Sequence, residues 1–204
     1  MQLAYSSVHG IHGTVVLVRG EDEVQQDTLL RPLTETDGET ITRQWSTLMR
    51  RKNGTRFGDS GWNWSSIVQK TVTARGWFGW VIQKGTLIQG AVTLRSPFRL
   101  INGDRGIFIE RLATAPWNRP EDLVNAGVPA NKLVGSWLMY SGIASSLCLG
   151  NKGRCALDAY REAEPFYIRL GLAAKSHRSF QRYYELDPTN NSVVQKWISN
   201  LLSL

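Results

Sequence analysis

Cysteine is scarce in this chain: Cys148 and Cys155 are the only two among 204 residues. That count excludes a disulfide scaffold, and two lone thiols suit a reducing, cytoplasmic setting. Both lie in sequence that reads as buried. Histidine is almost as rare. His9 and His12 stand three apart beside Gly10 and Gly13, in loop-like sequence, and His177 is far downstream. Metal sites built on histidine need three or four ligands, so no metal is expected. The start, Met1 to Ser7, has neither a basic segment nor a long apolar run, so no secretory signal is read there. One uncharged run, Leu133 to Asn151, resembles a membrane span in length. Gly135, Ser136, Ser141, Gly142, Ser145, Ser146 and Gly150 interrupt it, which fits a buried helix and no membrane partner. Glycine has no period and no heptad is sustained, which excludes collagen and coiled coil. Acids are also in deficit, 17 against 24 Lys and Arg, for a net charge of +7. A basic balance favours an anionic or nucleic-acid partner, or a phosphorylated ligand.

What is present is an ordinary globular composition, 42% hydrophobic and 20% charged, enough for a full core in one domain. Residues 1–27 read as an uncertain leader in which Thr14 to Val18 is a possible short strand. Residues 28–204 read as one domain. Leu29 to Leu33 opens it as a strand. Thr34 or Thr36 caps a helix that carries Ile41, Trp45, Leu48 and Met49 at helical spacing and stops at Gly54. Asp59 to Trp64 is a turn into a second helix, running to about Arg75. Trp77 to Gln83 and Leu87 to Leu94 form a hairpin across Lys84-Gly85-Thr86. Asn102-Gly103 is a turn signal, and Ile107 to Ala115 is a strand stopped by Pro116. A loop over 117–132 leads to the buried helix, Val134 to about Leu149, ended by Gly150 and Gly153. Arg154 to Ala159 is a strand, Arg161 to Leu170 a helix, Phe180 to Leu186 a strand and Asn191 to Leu202 a last helix. This order predicts an α/β fold with a mixed central sheet flanked by helices.

Gly58-Asp59-Ser60-Gly61 matches the nucleophile loop of trypsin-like proteases. That chemistry needs a His base and an Asp orienter on an all-β fold, and the predicted helices contradict it; the motif reads as a helix-capping turn. Glu110 shares a strand face with Phe108 and Leu112 by the period of two. An acid on an apolar face is costly unless paired or functional, and burial raises a carboxyl toward the range of a general base. Its neighbour Arg111 points to the opposite face. Arg43, Arg50, Arg51, Lys52 and Arg56 form a basic run with no acid between Glu39 and Asp59, the pattern of a solvated helix end and loop.

Four pieces together resemble the GNAT superfamily of N-acetyltransferases, over about residues 28–187: Leu29-Leu30-Arg31-Pro32-Leu33; Glu110-Arg111-Leu112-Ala113-Thr114-Ala115-Pro116; Val134-Gly135-Ser136-Trp137-Leu138-Met139; and Ala163-Glu164-Pro165-Phe166-Tyr167-Ile168-Arg169-Leu170-Gly171-Leu172. The last is the most specific. The family pattern at the cofactor turn places Gln or Arg, Gly, and Gly or Ala where this chain has Ala130, Leu133 and Gly135, so only the final glycine survives. Leu133 is expected to restrict positive φ there. The resemblance implies an acetyl-CoA-dependent acetyltransferase of the cytoplasm. Acetyl-CoA, the cosubstrate, would sit in the gap between strands 106–115 and 154–159, contacting Leu112, Ala113, Thr114, Lys132, Val134, Gly135, Ser136 and Phe166. Backbone N–H groups at the helix start would hold the pyrophosphate. Glu110 would act as base, directly or through water, and Tyr167 as proton donor to the leaving thiolate. Tyr160 stands where family members often have a cofactor-contacting Asn. Two alternatives stay open: a GNAT-like CoA-binding or protein-binding module without catalysis, and a nucleic-acid-associated factor. The amine acceptor and the oligomeric state, a dimer included, are not legible.

Overall fold

The computed structural model describes residues 13–16, 18–19, 27–48, 58–119, 131–177, 181–188, 191–192 and 194–195. The chain divides into two compact units: His12–Thr93 with Arg111–Met139, and Met1–Ile11 with Leu94–Glu110 and Tyr140–Leu204.

In the first unit, strand β1 (Gly13–Val16) pairs antiparallel with β3 (Asp27–Pro32), Gly13 opposite Leu30. The leader therefore contributes an edge strand. A two-residue strand, β2 (Val18–Arg19), pairs with β7 (Asn131–Lys132). Strand β4 (Trp77–Lys84) pairs antiparallel with β3, Leu29 opposite Gln83. Strands β5 (Leu87–Arg99) and β6 (Arg105–Thr114) complete the order β1-β3-β4-β5-β6, the N-terminal part of β5 and the C-terminal part of β6 belonging to this unit. Helices α1 (Glu35–Trp45) and α2 (Trp64–Thr73) bury Ile41, Trp45, Trp64 and Val68 against Val81, Ile88, Ala91, Ala113 and Trp117. Trp45 and Trp64 meet edge to face at 5.6 Å, the arrangement that ring quadrupoles favour. Helix α3 (Val134–Cys148) starts here. A Cβ on Gly90 would lie 2.7 Å from Val134 Cγ1 and 2.9 Å from Leu138 Cδ1, so glycine is what lets β5 approach the helix this closely.

Asp37 fixes the start of α1. Its carboxylate accepts from Arg31 Nη1 and Nη2 at 2.7 and 2.6 Å, and from the Thr34 N–H and hydroxyl at 2.7 and 2.8 Å. Burial alone would push this carboxyl up; the Arg31 guanidinium and the Thr34 donors outweigh it and hold the group below its ordinary value of 3.8. A depressed carboxyl contributes stability above its unfolded pKa and loses it as pH falls through the folded value. Asp37→Asn is therefore expected to cost about 3 kcal/mol at neutral pH, the scale of a broken buried pair. The gap from the parent should narrow as pH drops below about 4. Urea melts of both proteins at pH 7 and pH 3 check this.

The second unit carries the C-terminal part of β5 and the N-terminal part of β6. Strand β8 (Cys155–Tyr160) runs parallel to β6, Ile107 opposite Cys155 and Ile109 opposite Leu157. Strand β10 (Gln181–Leu186) returns antiparallel to β8, and β9 (Ala173–His177) pairs with β10. Between them lies the short helix α4 (Glu164–Arg169), preceded by a single 3-10 turn. In α3, Ser145 Oγ donates to the Ser141 carbonyl and Ser146 Oγ to the Arg154 carbonyl, both at 2.7 Å. These two buried hydroxyls are thus satisfied inside the fold, and no helix among the described residues is long and apolar enough to cross a membrane.

Four expectations are corrected. Cys148 is exposed, because it closes the last turn of α3; only Cys155 is buried, and burial pushes its thiol far up. The strand beginning at Leu87 continues past Leu94 to Arg99, and the strand β9 went unread because Ala173 to Ser176 are exposed and lack alternation. The helix of 161–170 is shorter, at 164–169. The expected helix over 191–202 falls mostly outside the described residues, as do Gly54 and the basic positions 50–56.

Candidate active site

Glu110 stands on β6 with its side chain 19% exposed. Its Oε1 accepts from Arg95 Nε at 2.6 Å. The Arg95 guanidinium lies 5.4 Å from both the Phe98 and Phe108 rings, which are themselves 4.8 Å apart. The acid shares its surroundings with Phe108, as period two predicts, but its partner comes from the neighbouring strand. The turn at Asn102-Gly103, closed by the Gly103 N–H on the Leu100 carbonyl, folds the two strands together and was the one local signal that they would meet.

The end of β6 is heavily braced. The Thr114 carbonyl accepts from Arg119 Nε at 3.1 Å and Nη2 at 3.0 Å. Arg119 also holds Asp59 in a two-pronged pair, Nη1 to Oδ1 at 2.8 Å and Nη2 to Oδ2 at 2.5 Å. Asn118 Nδ2 donates to the Gln89 carbonyl at 3.0 Å, and Trp117 Nε1 to Gln89 Oε1 at 2.9 Å. Leu112 and Thr114 are half-buried and Ala113 is buried. Gly58-Asp59-Ser60-Gly61 is a turn, as expected, closed by Trp62 N–H on the Asp59 carbonyl at 3.0 Å. The Asn63 side chain then caps α2 by accepting from Ser66 N–H.

At the start of α3, Leu133 has φ +69° and is 50% exposed. Leucine thus adopts the left-handed conformation that the sequence was expected to restrict. Such a residue stores about 1–3 kcal/mol of strain and persists only where its surroundings over-determine it. The first helical bond runs from Trp137 N–H to the Leu133 carbonyl at 3.0 Å. The N–H groups of Val134, Gly135 and Ser136 therefore have no acceptor within the helix, at the positive end of its dipole. Ala113 and Val134 both border Gly90, so the structure brings the expected β6 and α3 positions together. Lys132 lies in β7, with its side chain outside the described residues.

In the second unit, Tyr167 is 6% exposed on α4. It meets Phe166 at 5.2 Å and Tyr184 at 6.4 Å, ring to ring. Glu164 Oε2 accepts from Tyr184 Oη at 3.0 Å and pairs with Arg182 at 2.9 Å, which ties α4 to β10. Tyr160 ends β8, opposite Gln181.

No protein-family model matches this sequence, and no curated protein matches it significantly. Solved structures do resemble the fold. A PaiA N-acetyltransferase from Thermoplasma acidophilum, in complex with coenzyme A, has a TM-score of 0.54 at 14% identity, covering 78% of this chain and 98% of that one. Apo FdhC, described as a nucleotide-linked sugar GNAT, has 0.54 at 14%, covering 95% and 97%. The GNAT domain of S. lividans PAT has 0.53 at 16%, covering 86% and 96%.

Proposed function

We propose that this chain, which has the GNAT fold, transfers an acetyl group from acetyl-CoA to an amine acceptor. The observation that carries the reading is the turn before α3. A family glycine is replaced there by Leu133, yet the residue holds φ +69° and leaves three successive N–H groups ahead of the first helical bond. A helix start of this kind suits a pyrophosphate. The fit is with the anion; Leu112, Ala113, Thr114 and Phe166 would contact the rest of the cosubstrate, with Lys132 adding charge.

In this reading the acceptor amine attacks the thioester carbonyl, and the C–S bond breaks as the tetrahedral intermediate collapses. N–H groups near Leu112 and Ala113 stabilise the oxyanion. Glu110, directly or through water, removes the amine proton, and Tyr167 gives one to the departing sulfur. A second reading, a CoA-binding module without turnover, is favoured by one observation: the Glu110 carboxylate is already engaged by Arg95. Release of CoA thiol in the presence of a panel of amines separates the two.

Both readings require CoA binding. With CoA at 100 times its dissociation constant, linkage adds about 2.7 kcal/mol to the stability of the folded state. A melting curve with millimolar CoA should shift upward, with matching heat in calorimetry. No shift and no heat would remove both readings.

A further inference from the structure

We infer that the Asp59–Arg119 pair is a positioning device for the cosubstrate, and that the turn Gly58-Asp59-Ser60-Gly61 exists to hold the end of β6 in its binding conformation; this rests on the reading that β6 contacts CoA. Arg119 is only 10% exposed and Asp59 11%. The guanidinium places two donors on Asp59 and two on the carbonyl of Thr114, the last residue of β6. A planar fork used on both edges leaves little freedom to either partner. At the other end of the same segment, Arg111 lies 5.0 Å over the ring of Trp62, three residues beyond Asp59. Leu112, Ala113 and Thr114 are thus bracketed by two arginines, each anchored on residues 59–62. The segment assigned to the thioester is held at both ends by one loop.

The chemistry of the brace explains its residue types. A carboxylate alone meets both outward N–H groups of an arginine fork, and arginine alone spans from that carboxylate to a backbone carbonyl. The pair Arg31–Asp37, in the same unit, has the same two-pronged geometry but sits at the start of α1. It serves as an internal control: its loss should cost stability without touching the end of β6.

The test compares Asp59→Asn, Arg119→Lys and Asp37→Asn with the parent, measuring the dissociation constant for CoA by calorimetry and the melting temperature without CoA. A misplacement of about 1 Å imposed from a distance can cost on the order of 100-fold. Asp59→Asn and Arg119→Lys are expected to weaken CoA by about tenfold or more, while Asp37→Asn melts lower with its CoA affinity within about twofold of the parent. If the two brace variants melt lower but bind CoA as the parent does, the pair is structural only and the inference is overturned. Should Asp59→Asn fail to fold, Arg119→Lys, which keeps the charge and loses the fork, decides alone. A parent that does not bind CoA overturns the functional reading itself, and the brace with it; a parent that binds beside unaffected variants overturns the brace alone.

Discussion

Tyr167→Phe is expected to lower turnover by about 10²–10⁴-fold, the range for loss of a positioned general acid, while the affinity for CoA stays close to that of the parent. The expulsion of a thiolate is the step the hydroxyl would serve. A phenol hydroxyl is a competent proton donor to it. An interaction made only in the transition state shows itself as a fall in kcat and in kcat/KM together. The substitution removes one oxygen and keeps the ring. Contacts with Phe166 at 5.2 Å and Tyr184 at 6.4 Å are contacts of the ring, so the packing of α4 should survive. Saturating acetyl-CoA, a fixed amine acceptor and a thiol readout give the rate; calorimetry gives the affinity. A Phe variant that turns over as fast as the parent makes Tyr167 a packing residue.

Much of this arrangement is legible in the sequence. Strands and helices with strong local signals were placed correctly: the Lys84-Gly85-Thr86 connection, the Asn102-Gly103 turn, and the stop at Gly150, which has φ +75°. The candidate positions on β6, α3 and α4 came from a resemblance carried by short motifs. What escaped was of two kinds. Exposed or irregular strands lack the alternation that marks burial, so β9 and the far half of β5 were missed. Long-range polar partners carry no local pattern at all. Arg95 finds Glu110 only through the hairpin, and Arg119 finds Asp59 across sixty positions of sequence. Leu133 is the reverse case. Its side chain argued against positive φ, and the surrounding structure imposed it. Intrinsic preference of about 1–2 kcal/mol per residue is small beside what tertiary packing supplies.

Glu110→Gln separates the two roles open to that side chain. As a base, Glu110 must accept a proton from an acceptor whose amine is mostly charged at neutral pH. Gln keeps the shape and retains an oxygen for Arg95 Nε, but it accepts no proton. The rate should then fall by about 10²–10⁴-fold, and the acidic limb of the pH–rate profile should flatten. The effect on stability should be small. Arg95 is 37% exposed, and ion pairs open to solvent are worth about 0–1 kcal/mol. The opposite result, a lower melting temperature with a profile of unchanged shape and height, would mean that Glu110 serves only to neutralise Arg95 beside Phe98 and Phe108. Both quantities are to be measured on one preparation, since each role moves one of them and leaves the other nearly still. An unchanged profile would transfer the proton to water or to a group on the acceptor side, and leave the Arg95–Glu110 pair a structural contact between β5 and β6.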